Sequence, residues 1–148
     1  MIRVANIDDL KNLLELESRV FSKYDYPINK KSFIYHIKKE HIIVVGDKNH
    51  IYGYILFFDY KKSIRVYSLA IDIPFTNQGY GTKLMEYLIK FAKKSKKAIT
   101  LEVKIDNYNA IFFYEKFNFK KSIILNNYYL DGKDGIKMKA DYFLDNLS

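Results

Sequence analysis

Glu102, Tyr114 and the pair Gly79 and Gly81 are the residues whose types and spacing could do chemistry. In Ile99-Thr100-Leu101-Glu102-Val103, alternation puts Leu101 and Val103 on one strand face and Thr100, Glu102 and Lys104 on the other. That second face is either solvated or, on an inner strand of a mixed sheet, covered. A covered carboxyl has a raised pKa and suits a general base. Tyr114 follows Ala110 by four residues and Ile111 by three, on the buried face of a helix. A core tyrosine explains it; so does a general acid, since a phenol beside a reacting centre can give up its proton. Gly79 and Gly81, two of six glycines, stand in FTNQGYGTKL between an apolar strand-like run and a helix-like one. The first N–H groups of a helix lack intrahelical acceptors and carry partial positive charge, so an anion can settle there if no side chain blocks it. An ordinary tight turn explains the same two glycines.

Several other chemistries lack their residues. Gly81-Thr82-Lys83 reverses the Lys and Thr of a P-loop, and Leu84 stands where a dinucleotide fingerprint needs its third glycine. There is no Gly-x-Ser-x-Gly elbow, and His36, His41 and His50 have no metal-ligand spacing, so no metal is expected. The chain has no cysteine, which removes disulfides, thiolate metal sites and a cysteine nucleophile, and fits a reducing compartment such as the cytoplasm. A net charge of +8 favours an anionic partner: nucleic acid, an acidic protein or a phosphorylated cofactor. A lysine-rich solvated surface gives the same number.

The elements that position these residues follow from periodicity. The 148 residues, 49% hydrophobic, contain no linker or repeat and predict a single domain, 1–148. Runs such as IYGYILFF are too short to span a bilayer, and no signal-peptide apolar region opens the sequence. Leu10, Leu13, Leu14 and Val20 predict a helix over 8–20 capped by Asn6 or Asp8; Asn29 caps a second helix through Ile37. Strands are expected at 41–45, 51–58 and 64–71, then a helix with Leu84, Met85, Leu88, Ile89 and Ala92 on one stripe. A strand at 98–105, a helix at 108–116 and a hairpin of 122–129 with 135–140 close the order ααβββαβαββ. This is a mixed sheet flanked by helices, α+β or α/β in class, with a crossover from 64 to 105 joining parallel strands.

Together these stretches resemble the GNAT superfamily of N-acetyltransferases, and within it the ribosomal-protein-alanine and archaeal N-terminal acetyltransferases. The resemblance covers nearly the whole chain. It is strongest in VYSLAIDIPFTNQGYGTKLMEYL, LEVKIDNYNAIFFYEKFNF and NNYYLDGKDGIKMK. The family's phosphate loop, Arg/Gln-x-x-Gly-x-Gly/Ala, is matched by Thr76 to Gly81 except at its first position. Thr76 implies weaker cofactor affinity at most, because backbone N–H groups do most of the cradling.

The resemblance implies a GNAT fold and a role for each part. Leu69, Ala70 and Ile71 would bind the pantetheine arm of acetyl-CoA through backbone groups. Asn77, Gln78, Gly79, Tyr80, Gly81 and Thr82 would hold its pyrophosphate, and Asn107 would touch the cofactor arm and cap the helix it opens. Glu102 would be the general base, through water, and Tyr114 the acid that protonates the departing thiolate. Tyr128 and Tyr129 match a pair that lines the peptide groove of N-terminal acetyltransferases, with Phe21 and Tyr26 at the entrance. The implied acceptors are protein N-termini, ribosomal proteins among them, rather than a small amine or a lysine side chain. Tyr26-Pro27-Ile28-Asn29 departs from the Pro-Trp-Ser/Thr of many relatives, and the loop from Phe21 looks longer, so the accepted N-terminal residue stays open. A basic nucleic-acid-binding module is a third reading, resting on Lys90, Lys93, Lys94, Lys96 and Lys97. Those lysines end a helix, where cations are favoured anyway.

Overall fold

Backbone groups left open at chain turns decide where the first elements begin. In the computed structural model, which describes residues 1–22 and 28–142, Ile2–Val4 forms strand β1 and a 3-10 turn spans Ile7–Asp9. Asn6 is the cap: its side chain accepts from the Asp8 N–H at 2.9 Å, while the Asp9 carboxylate accepts from the Asn6 N–H at 2.8 Å. Helix α1 follows at Leu10–Val20, with Leu13 and Leu16 fully buried. Asn29 caps α2, Lys30–Lys38, by accepting from the Ser32 N–H at 2.8 Å.

The remaining elements are β2 (Ile42–Gly46), β3 (Ile51–Asp59), β4 (Ser63–Ile71), α3 (Tyr80–Ser95), β5 (Ala98–Lys104), α4 (Tyr108–Glu115), β6 (Lys120–Leu125) and β7 (Gly135–Ala140). The strands form one seven-stranded sheet in the order β1-β2-β3-β4-β5-β7-β6. β4 and β5 pair in parallel, Ser63 opposite Ala98 through Val66 opposite Leu101, which is the expected crossover. β1/β2, β2/β3, β5/β7 and β6/β7 are antiparallel, so the sheet is mixed as its sequence implied.

Two elements differ from expectation. β1 has three residues, too few for alternation to register. β6 stops at Leu125 instead of running to residue 129. Asn127 adopts φ 51° and donates its N–H to the Asp134 carboxylate at 2.8 Å, and Gly132 sits at φ 84° donating to the Tyr129 carbonyl. Local turn bonds therefore win over ladder bonds, and Tyr128 and Tyr129 belong to a loop.

The chain gathers into two compact units. The first holds Met1–Phe58 with Tyr67–Leu88. Its core contains Leu13, Leu16, Phe33, Ile42, Val44, Tyr54 and Leu56, each essentially unexposed. Glu17 is buried beside it and accepts the Ile28 N–H at 2.8 Å. Burial holds the Glu17 carboxyl above its usual range, although the Ile28 hydrogen bond works the other way. Arg19 forks Asp72 at 3.1 and 2.9 Å, and this bond holds the Asp72 carboxyl below its usual range. The second unit holds Asp59–Val66 and the chain from Ile89 onward. There Ile99, Leu101, Val103, Ile136, Met138 and Ala140 are buried on one sheet face.

Glu17 makes stability pH-dependent with a definite sign. Its folded-state pKa is raised, so near pH 3, below the unfolded value of about 4.3 and with both states protonated, it costs nothing. As pH rises through the folded pKa the full penalty of a buried carboxylate applies. Glu17→Gln keeps an acceptor for the Ile28 N–H and is expected to raise the melting temperature at pH 8 while matching the parent near pH 3. Thermal melts across this range check it; equal stability at pH 8 refutes it.

Candidate functional site

In the first unit, β4 ends at Leu69, Ala70 and Ile71, with Ala70 buried. The backbone of β3 presses close at Gly53, where a Cβ would lie 2.8 Å from the Ala70 carbonyl oxygen. Asp72, pinned by Arg19, then caps a 3-10 turn at Ile73–Phe75 by accepting the Ile73 N–H at 3.1 Å. The Thr76 hydroxyl donates to the Ile73 carbonyl at 2.9 Å, and the Gln78 amide to the Pro74 carbonyl at 3.1 Å. Tyr52 stacks on Phe75 with centroids 4.0 Å apart and lies 5.1 Å from Tyr80, backing the turn with aromatic surface.

Asn77 and Gly79 take left-handed φ of 60° and 86°, and the Gly79 carbonyl accepts the Lys83 N–H at 3.1 Å, closing the first turn of α3. Tyr80, Gly81 and Thr82 open that helix, so their N–H groups have no acceptor within it. A Cβ at Gly79 would meet nothing within 4 Å, so the space beside this residue is open. The loop fits a diphosphate. The two glycines serve different ends: Gly79 supplies a backbone angle, while Gly81 sits within the helix, where glycine costs roughly 0.5–1 kcal/mol against alanine.

In the second unit, Glu102 is neither solvated nor alone in an apolar pocket. Its side chain is 16% exposed, and Arg65 donates from Nε to Glu102 Oε2 at 3.0 Å. The same guanidinium reaches the Tyr128 hydroxyl at 3.3 Å. Burial works against the Arg65 charge, but the neighbouring Glu102 outweighs it and holds the Arg65 guanidinium above its usual value. Arg65 was missed in the sequence. Its signal was the alternation Ile64-Arg65-Val66, but only the parallel register with β5 shows which carboxylate it meets.

Tyr114 is half-buried, its ring 5.7 Å from that of Phe119 and 5.3 Å from that of Phe113. Burial pushes its phenol up to about 12, so it stays protonated at neutral pH. Among the described residues its hydroxyl makes no hydrogen bond. Asn107 caps α4 by accepting the Ala110 N–H at 3.2 Å. Tyr128 and Tyr129 meet edge to face at 5.1 Å and rest on Gly135, where a Cβ would come within 3.2 Å of one ring and 3.3 Å of the other. Lys104 lies over the Tyr129 ring at 5.4 Å and binds Asp131 at 3.1 Å, tying the loop down.

The predicted residues therefore form two sets. Leu69–Ile71 and Asn77–Thr82 fall in the first unit; Glu102, Asn107, Tyr114, Tyr128 and Tyr129 fall in the second, where Arg65 links Glu102 to Tyr128. Phe21 packs against the core of the first unit, and Tyr26 lies outside the described residues. Among the described residues no three His, Asp or Glu side chains group as a metal site.

In sequence and fold the chain is similar to known proteins. The acetyltransferase (GNAT) family model matches residues 7–119. The N-alpha-acetyltransferase of Saccharolobus solfataricus is 32% identical, over 93% of this chain and 90% of the relative. That of Sulfolobus acidocaldarius is 30% identical, over 94% and 90%. The crystal structure of the ribosomal-protein-S18-alanine N-acetyltransferase from Escherichia coli superposes with a TM-score of 0.83 at 26% identity, covering 94% of this chain and 91% of that one.

The different duties of the two loop glycines can be separated. Gly79→Ala forces a side chain to positive φ and is expected to lose about 1 kcal/mol of stability. Gly81→Ala is expected to leave the free protein as stable or about 0.5–1 kcal/mol more so, by helix propensity. It should nevertheless weaken coenzyme A binding by roughly tenfold, about 1.4 kcal/mol, in calorimetry. Unchanged binding in Gly81→Ala would show that the second glycine does not clear an approach.

Proposed function

The chain belongs to the acetyltransferase (GNAT) family, and on that premise we propose that it transfers an acetyl group from acetyl-CoA to the α-amino group of a protein N-terminus by direct attack in a ternary complex. The observation that carries the acceptor is that relatives matched over nine-tenths of both chains are N-alpha-acetyltransferases. The amides of Tyr80, Gly81 and Thr82, without acceptors inside the helix they open, support the cofactor.

An α-ammonium group has a pKa of about 7.7–8.0, against about 10.4 for a lysine side chain, so modest general-base help frees it near neutrality. Glu102, oriented by Arg65, takes that proton through water. The amine lone pair attacks the thioester carbonyl, and the carbon–sulfur bond breaks as the tetrahedral intermediate collapses. Tyr114 gives its hydroxyl proton to the leaving sulfur. A phenol at about 12 is a far weaker acid than a thiol at about 8.5, so it must regain a proton at once, and the newly acylated nitrogen supplies one. With no cysteine in the chain, an acyl-cysteine intermediate is excluded. Tyr128 and Tyr129 line the acceptor's path, held by Arg65 and Gly135.

Free-thiol release from acetyl-CoA with N-terminal peptides, N-terminally blocked lysine peptides and polyamines tests this. Turnover is expected with free N-terminal peptides alone; turnover only with polyamines or blocked lysine peptides refutes the acceptor. Glu102→Gln and Tyr114→Phe are each expected to cut kcat by roughly tenfold or more with coenzyme A affinity retained. Loss of turnover together with cofactor binding would make both residues structural.

A further inference from the structure

We propose that the acceptor is a protein N-terminus with acidic side chains in its first few positions, held by a row of cations across the open face of the second unit's sheet. This rests on the acetyl-transfer reading above and names its substrate class.

The row follows from strand register. Arg65 stands opposite Thr100, Thr100 opposite Lys139, and Lys139 opposite Lys120. Residues directly opposite on neighbouring strands project from the same face. In the next row Glu102 stands opposite Lys137, and Lys137 opposite Ile123. Burial agrees: Leu101, Val103, Ile136, Met138 and Ala140 are buried on the far face, whereas Thr100, Glu102 and Lys137 are partly exposed and Lys120 and Lys139 exposed. With Lys104, which Asp131 pairs, five cations thus share this face with the one sheet carboxylate, Glu102. Arg65 is paired with that carboxylate, and among the described residues Lys120, Lys137 and Lys139 have no ion-pair partner.

Nothing in the fold requires this arrangement. Like charges directly opposite across two strands are unfavourable, and Lys120 facing Lys139 is such a pair. The charge is also unevenly spread. Residues 59–66 with 89–148 carry 15 Lys and Arg against 8 Asp and Glu, net +7, while the other unit carries 10 against 9, net +1. At its outer end the row meets a depression of about 520 Å³ lined by Lys120, Lys121 and Lys139, with Asp141 its single carboxylate.

An acidic peptide matches these dimensions. Strands lie about 4.8 Å apart, so β4 to β6 spans about 14 Å, the reach of about four extended residues at roughly 3.3 Å each. The row begins at Arg65, which already holds the proposed base and the first groove tyrosine. A cationic surround also favours the free amine over the ammonium ion. Side-chain carboxylates following the amine then supply the attraction the amine itself lacks. RNA would answer the same lysines, but a carboxylate within the patch, Glu102, opposes a phosphodiester chain and can accept the proton that an amine gives up.

The test compares three peptides that share a first residue and carry neutral, acidic or lysine side chains at positions two to five. The acidic peptide is expected to show a KM roughly tenfold lower than the neutral one at low salt, with similar kcat and an advantage that shrinks at about 0.5 M salt. Lys120→Glu with Lys139→Glu is expected to reverse the order of the acidic and lysine peptides. Equal KM values for all three peptides, or an acidic preference that survives the double substitution, overturns the proposal and leaves N-terminal transfer standing. If the double substitution weakens an RNA oligonucleotide and leaves every peptide KM unchanged, the row serves nucleic acid and the proposal fails. Absence of turnover on any peptide would remove the acetyl-transfer reading and this proposal with it.

Discussion

A guanidinium 3.0 Å from a carboxylate is the interaction on which the chemical part of this protein depends. Glu102 sits on an inner strand with its side chain largely covered, and a covered carboxylate needs a partner to offset the water it loses. Arg65 meets that demand from the neighbouring parallel strand, and its remaining donor reaches Tyr128 in the loop between β6 and β7. One side chain therefore fixes the carboxylate's rotamer and one ring of the tyrosine pair. The parallel register that makes this possible exists because a helix, not a hairpin, joins β4 to β5.

The turn that leads into α3 is built by the opposite means. It offers no cation of its own at Thr76, whose hydroxyl is turned inward to the Ile73 carbonyl. Its usefulness lies in main-chain donors left open at the start of α3 and in a turn whose shape is set by side chain to backbone bonds from Thr76, Gln78 and Asp72. Stacked Tyr52 and Phe75 stiffen it from behind. A site built on backbone donors tolerates changes of side chain better than one built on a single lysine.

Local grammar was legible in the sequence: the Asn29 cap, the crossover and the strand–turn–helix junction were all read from residues close together in the chain, while the Asn107 cap came from the family resemblance. The division of labour between Gly79 and Gly81 was not, because sequence shows that glycine is present and not which one needs a positive φ. The partner of Glu102 was not legible for a related reason. Alternation gave its face, but its partner lies 37 residues away and is chosen by register. The tyrosine pair was placed in a strand because aromatic, β-prone residues look alike in a ladder and in a tight loop. Asn127 and Asp134 decide between the two.

Gly135 gives that pair a further property. Both tyrosine rings lie against a strand residue that has no side chain, so their height above the sheet is set from beneath, by the floor and not by the loop that carries them. Whatever passes over those rings meets a rigid threshold. A single methyl group added to the floor would lift the threshold by a few tenths of an ångström without altering one residue that a visitor could touch.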